Sequence, residues 1–276
     1  MNDEALKPGY EWAEVLVMVK TYPAPSTKHG ETVCVAGARL DRLGGPEWIR
    51  LYPVPFRALD DSMHFKKYQV IRLPIAPRGS YDPRPESFVP DLDHIRVEGK
   101  PVPSTRQWQR RRDLVQPLMG QVTTCDLIRM NKAGTMADAI QSLGMVKPAE
   151  VRDVRVEKGE PWRANQLEKV KAFSQADLFN PDGFPELQPV PYQLLIDYKC
   201  SDGSCKGHRQ HLIDWELGVM GLTWPDRYGK NTASVIEDKF REMLDTRTHD
   251  VYLFIGNQHQ RRATFSVCGI WSPKVG

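Results

Sequence analysis

Residues 200–211 read CSDGSCKGHRQH, which sets two cysteines and two histidines within twelve positions of a chain that has five cysteines and seven histidines in all. Four such side chains this close together restrict the local fold. They converge on a metal, or they stand apart as small buried thiols and solvated rings. Cys200, Cys205 and His208 have the spacing C-x4-C-x2-H, and His211 follows three residues later. Asp202-Gly203 is a favoured turn pair that lets the two thiolates point inward. Gly203, Ser204, Lys206 and Gly207 suit an exposed loop rather than a buried one. With a helix read over 208–222 (HRQHLIDWELGVMGL), His208 and His211 share a face, because residues three apart are helical neighbours. Soft and borderline ligands of this kind suit tetrahedral zinc better than an iron–sulfur cluster, which normally takes four cysteines. The expected ligand set is therefore Cys200, Cys205, His208 and His211, a closed zinc site of structural type. In a catalytic variant water would replace His211, and Asp214 or Glu216 would act as base.

The remaining cysteines do not suggest disulfides. Their total is odd, and Cys34 and Cys268 sit in the apolar runs TVCVAG and FSVCGI. No run of 18 or more apolar residues marks a membrane span. MNDEALKPGYEW at the N-terminus lacks the layout of a signal peptide, so a cytoplasmic protein is expected.

A length of 276 residues accommodates two domains of roughly 100–200 residues each. Short apolar runs at 13–20, 31–40, 47–56 and 68–77 read as strands, and their near-regular spacing predicts a small β-barrel over residues 1–100. In the third run Trp48, Arg50 and Tyr52 alternate with Ile49 and Leu51, so the two sets face opposite ways. The segments 104–119, 124–134, 136–145 and 164–175 read as helical, which makes 101–185 a mainly helical connection, although 150–159 alternates like a strand. Residues 186–276 form an α+β unit. A strand at 192–200 feeds the Cys/His cluster, Val235, Ile236, Phe240 and Leu244 make one helical stripe, and two strands around NQHQRR form a hairpin. The expected fold class is α+β. The first hundred residues are similar, in architecture alone, to RNA-associated barrels of the PUA or ASCH type.

The functional expectation follows from the interleaving of aromatic and basic residues. Trp48, Arg50 and Tyr52 on one strand face, Arg57 beyond it, and Lys20 and Tyr22 at a strand end describe a stacking platform in a basic groove. Arg110 and Arg111 extend it from a basic helix. A formal net charge of +3 permits such a polyanionic partner, DNA or RNA, without requiring one. If the nucleic acid is also processed, His259 and Asn257 at the hairpin tip, with Asp214 and Glu216, are the candidate catalytic residues. No Walker A loop, G-x-G-x-x-G or H-E-x-x-H is present, which removes weight from motor, dinucleotide and zincin readings. One alternative is a nucleotide-type enzyme whose pocket is formed by loops 20–31 and 256–262. Another is a non-catalytic interaction module.

Overall fold

β-Branched and aliphatic runs dominate the first hundred residues, and they pair into a closed barrel. The computed structural model describes residues 6–28, 30–175 and 183–276. Its first strands are β1 (Glu11–Lys20), β2 (Ala24–Ser26), β3 (Gly30–Arg39), β4 (Glu47–Val54), β5 (Val70–Pro77), β6 (Ser87–Pro90) and β7 (Arg96–Glu98). Five of them close in the order β1-β3-β4-β6-β5, with β5 pairing back to β1; β2 and β7 flank the ring. Ala13, Val15 and Val17 of β1 point into the barrel with Ile49 and Leu51 of β4. Leu16 and Met18, the intervening residues of β1, are equally buried but face outward. That double burial explains why β1 reads as an unbroken apolar run rather than an alternating one.

The second half supplies what β1 packs against. After α1 (Thr105–Val115) and α2 (Thr124–Ala133) come β8 (Leu143–Val146), β9 (Pro148–Lys158), α3 (Ala164–Ser174), β10 (Tyr192–Cys200), β11 (His208–Leu212), α4 (Trp215–Thr223), α5 (Pro225–Tyr228), α6 (Thr232–Met243), β12 (Tyr252–Gln258) and β13 (Arg261–Trp271). Six strands form one sheet in the order β8-β12-β13-β11-β10-β9, parallel only between β11 and β13. Its central strands are covered on both sides. Leu253, Ile255 and Val267 meet Leu127 of α2, Leu217 of α4, and Ile236 and Phe240 of α6. Phe254, Cys268 and Trp271 meet Leu16, Met18 and Ala36 of the barrel. The layers are thus barrel, sheet and helices.

Three expectations change here. Residues 101–185 are not mainly helical: 143–158 forms two strands of the C-terminal sheet, and 136–142 has no helix. Residues 208–222 are not one helix, because β11 occupies 208–212 and α4 begins only after Asp214, whose side chain accepts the Glu216 amide at 2.7 Å as N-cap. The segment 104–119 is not regular helix from its start: the backbone is left-handed at Arg106, Gln107 and Trp108, and regular helix begins only after them, before Arg110 and Arg111. Among the described residues no helix is long and apolar enough to cross a membrane.

Candidate metal centre and the cleft beside it

The Cys/His loop is a turn between antiparallel strands. β10 ends at Cys200, the Cys205 amide bonds the Asp202 carbonyl at 3.0 Å, and the Ser204 amide bonds the Asp202 carboxylate at 2.7 Å. Gly207 then takes φ +114°, a value disfavoured for side-chain-bearing residues, and returns the chain into β11 at His208. The thiols of Cys200 and Cys205 and the His208 ring converge with a third thiol, that of Cys125. One donor atom from each of these four residues lies within 4.8 Å of the other three. His208 Nε2 is 3.3 Å from Cys205 Sγ and 3.5 Å from Cys125 Sγ.

Cys125 comes from the first turn of α2. Thr123 caps that helix through a reciprocal capping box with Asp126. A thiolate there is favoured by the helix N-terminus. Arg129 of α2 bridges Asp126 at 2.7 Å and Asp202 of the loop at 2.9 Å, so helix and loop are held together from outside the cluster. Tyr198 backs it from inside. Its ring lies against His208, and its hydroxyl donates to Gln210 and meets the Thr124 hydroxyl.

His211 does not belong to the group. β11 has a period of two, so His211 points away from His208 and is exposed, paired across the sheet with Leu195. The helical reading of 208–222 had put both rings on one side.

The four donors fit a cation on chemical grounds. A tetrahedral ion bonding sulfur at about 2.3 Å and nitrogen at about 2.0 Å holds its ligand atoms roughly 3.5–3.8 Å apart, within the spread seen here. Without one, burial and the neighbouring thiols of Cys200 and Cys205 push the Cys125 thiol up to about 12. A divalent cation relieves that crowding.

A second arrangement lies where barrel and C-terminal unit meet. A cavity of about 650 Å³ is bounded by Lys20, Lys66 and Lys67 of the barrel, Trp108 and Arg111 of α1, Trp215 and Glu216 of α4, and Lys239 of α6. Lys67 Nζ bonds Asp214 Oδ2 at 2.8 Å and Glu216 Oε2 at 3.1 Å. Burial pulls the Lys67 ammonium down, but the two carboxylates outweigh it and hold it above its ordinary value. Burial pushes the Asp214 carboxyl up, against the pull of Lys67. Arg111 lies over the rings of Tyr68 and Trp108, at 3.9 and 4.6 Å from their centres. Tyr68 and Trp108 both have φ of +62°, a left-handed conformation that costs roughly 1–3 kcal/mol per residue and tends to collect at functional positions.

The residues expected to bind or process nucleic acid divide between this cleft and other places. Lys20, Arg111, Asp214 and Glu216 line the cleft. Arg110 is exposed one residue before Arg111. Tyr22 stacks at a tilt on Trp215 and donates to the Gln188 carbonyl, and Arg57 pairs with Glu31 in an adjoining hollow. The strand face of Trp48, Arg50 and Tyr52 is not an open platform. Trp48 packs edge-on against Phe254, and Arg50 is buried and donates to the Asn257 carbonyl. The alternation in β4 is as expected, but the outward face is covered by the C-terminal sheet. Tyr52 is half-buried, with Arg78 over its ring.

Asn257 and His259 also lie away from Asp214 and Glu216. Asn257 accepts from Arg84 at 2.9 Å and donates to Asn131 and to the Arg262 carbonyl. His259 Nδ1 is 3.4 Å from Asp82, which pairs with Arg84 at 2.6 Å. This is a buried junction tying the barrel to the hairpin. Loops 20–31 and 256–262 therefore face different neighbours, the first α3 and Trp215, the second Arg84 and Asp82. His29, within the first loop, lies outside the described residues.

A family model described as a domain of unknown function (DUF8758) matches residues 11–117, the barrel and α1. Another, a domain of unknown function (DUF8757), matches residues 120–275, from α2 to the end of the sheet. No curated protein matches the chain. The two matches meet between α1 and α2, where the sequence reading had placed one continuous connection. With more than half of its length matched by the second model, the chain belongs to the family of the domain of unknown function DUF8757.

Proposed function

We propose that this chain binds unpaired DNA or RNA in the cleft between barrel and C-terminal unit, and that zinc at Cys125, Cys200, Cys205 and His208 fastens the α2 side of that unit. The observation that carries the reading is the lining of the cleft. Lys66, Arg111 and Lys239 line one cavity of about 650 Å³ together with Trp108 and Trp215, and Arg111 lies over the Trp108 ring. A basic groove supplies contacts to phosphates, and aromatic rings supply platforms for bases, a combination suited to single strands because every base has a stacking face. A cavity of this size suits one or two unstacked nucleotides and excludes a duplex. Four protein ligands leave zinc no open position, so its role is to hold structure. Asp214 and Glu216 are held by Lys67 at the cleft floor, which makes them the acid–base candidates if the bound strand is processed.

Fluorescence anisotropy of a labelled single-stranded oligonucleotide, titrated at several salt concentrations, tests this. Log affinity is expected to fall linearly with log salt. Lys66→Glu and Lys239→Glu are each expected to weaken binding roughly tenfold at about 0.1 M salt and to reduce the slope by about one phosphate contact. Absence of salt-dependent binding to DNA and RNA alike would overturn the reading.

A further inference from the structure

The cleft floor holds a buried lysine, Lys20, and a partly buried one, Lys67, and they divide the nearby acids unequally. Lys67 takes both carboxylates, Asp214 and Glu216. Lys20, 8% exposed, has only a long 3.5 Å bond to the Phe65 carbonyl. Its Nζ otherwise rests on ring faces, 3.8 Å from the centre of Phe56 and 4.5 Å from that of Trp215. Among the described residues no carboxylate forms an ion pair with it. An amine in an apolar pocket beside a second cation is the arrangement that frees a lysine lone pair for attack on a carbonyl.

We propose that Lys20 is an amine nucleophile that captures an aldehyde in the cleft as a Schiff base. Resting on the nucleic-acid reading, the aldehyde is the ring-opened sugar of a nucleotide that has lost its base. Such a nucleotide has no base to stack on Trp108 or Trp215 and leaves its sugar carbon unshielded. The neutral amine's lone pair forms the N–C bond as the carbonyl π bond breaks toward oxygen. Nitrogen loses one proton, the oxygen takes that proton and a second one from solvent and leaves as water, and a protonated imine remains. Nothing is oxidised or reduced, and hydrolysis reverses the sequence.

Burial pulls the Lys20 ammonium down to about 8, with Lys67 adding to the effect and Glu216 and Asp214 partly opposing it. About a tenth of the amine is then free at pH 7, against less than about one part in a thousand for an ordinary lysine. Capture should accelerate about tenfold per unit between pH 6 and 7.5 and level off above 8.

The test is reductive trapping. The full chain is incubated with cyanoborohydride and either glyceraldehyde 3-phosphate or a single-stranded oligonucleotide carrying one abasic site, and adducts are mapped by peptide mass spectrometry. The expected adduct is on Lys20 with both probes. Lys20→Arg, which keeps the charge over the two rings, should reduce it at least roughly tenfold. Adducts spread over surface lysines, or strand binding without an adduct, would overturn the proposal and leave the nucleic-acid reading standing. Capture of the small aldehyde at Lys20 without binding of any strand would uphold the nucleophile and overturn the nucleic-acid reading.

Discussion

Cys125→Ser is expected to lose the bound metal and about 10 °C of thermal stability, whereas His211→Ala should change neither. The cluster joins α2 to the β10–β11 turn, with Cys125 more than seventy positions before Cys200 in the chain. A metal that binds only the folded state adds about 4 kcal/mol when its free concentration is a thousand times its dissociation constant. For a unit of this size each kcal/mol shifts the midpoint by about 2–4 °C. Serine preserves the first turn of α2, so the loss isolates the ligand bond from the helix cap. Elemental analysis should find one zinc per wild-type chain, with similar destabilisation when a chelator removes it. His211 is exposed on the opposite face of β11, and its truncation should stay within about 0.5 kcal/mol. Metal retained in Cys125→Ser and lost in His211→Ala would reverse the assignment.

Lys67→Met should be the most damaging single change in the cleft, by about 3–5 kcal/mol at pH 7. It strips Asp214, a buried carboxylate, of its ammonium partner. The Asp214 amide-capping bond to Glu216 would remain but could not neutralise the charge. Burial already raises the Asp214 carboxyl in the intact protein, and without Lys67 that rise grows. A raised carboxyl is destabilising above its folded value, where it is charged in both states, and costs nothing below about 4, where it is neutral in both. The penalty of Lys67→Met should therefore shrink as pH falls from 7 toward 4. Adding Asp214→Asn should recover most of the loss, because the uncompensated charge is gone. Denaturant titrations of the two single variants and the double variant measure this coupling. A penalty that is independent of pH, or additive effects, would contradict it.

The barrel was legible because four of its strands carry β-branched runs at regular spacing, and the hairpin around His259 because two apolar strands flank a short polar tip. Cys200, Cys205 and His208 were legible because adjacent strands bring near neighbours together. Cys125 was not, since nothing local ties it to residue 200. The signal available was TTCD, a helix start whose N-terminal turn carries a thiol. His211 was misjudged because HRQHL was read with a helical period, although Gln210 and Leu212 are buried while Arg209 and His211 are exposed, which is the period of a strand. Asp214 before WEL was the capping signal that places the helix start later.

Arg50 exposes a different limit. The sequence shows which residues of β4 share a face, but the partner that covers that face lies two hundred residues away. The cleft is hidden for the same reason. Its lysines and tryptophans are scattered from Lys20 to Lys239, and only packing of barrel against sheet assembles them.

Photo-crosslinking of a 5-iodouridine-substituted single strand, with the attached peptides identified by mass spectrometry, asks directly whether nucleic acid enters the cleft. Crosslinks are expected at Trp108 and Trp215, diminished in Lys66→Glu. Crosslinks confined to surfaces outside the cleft, or none from a strand that binds, would contradict it.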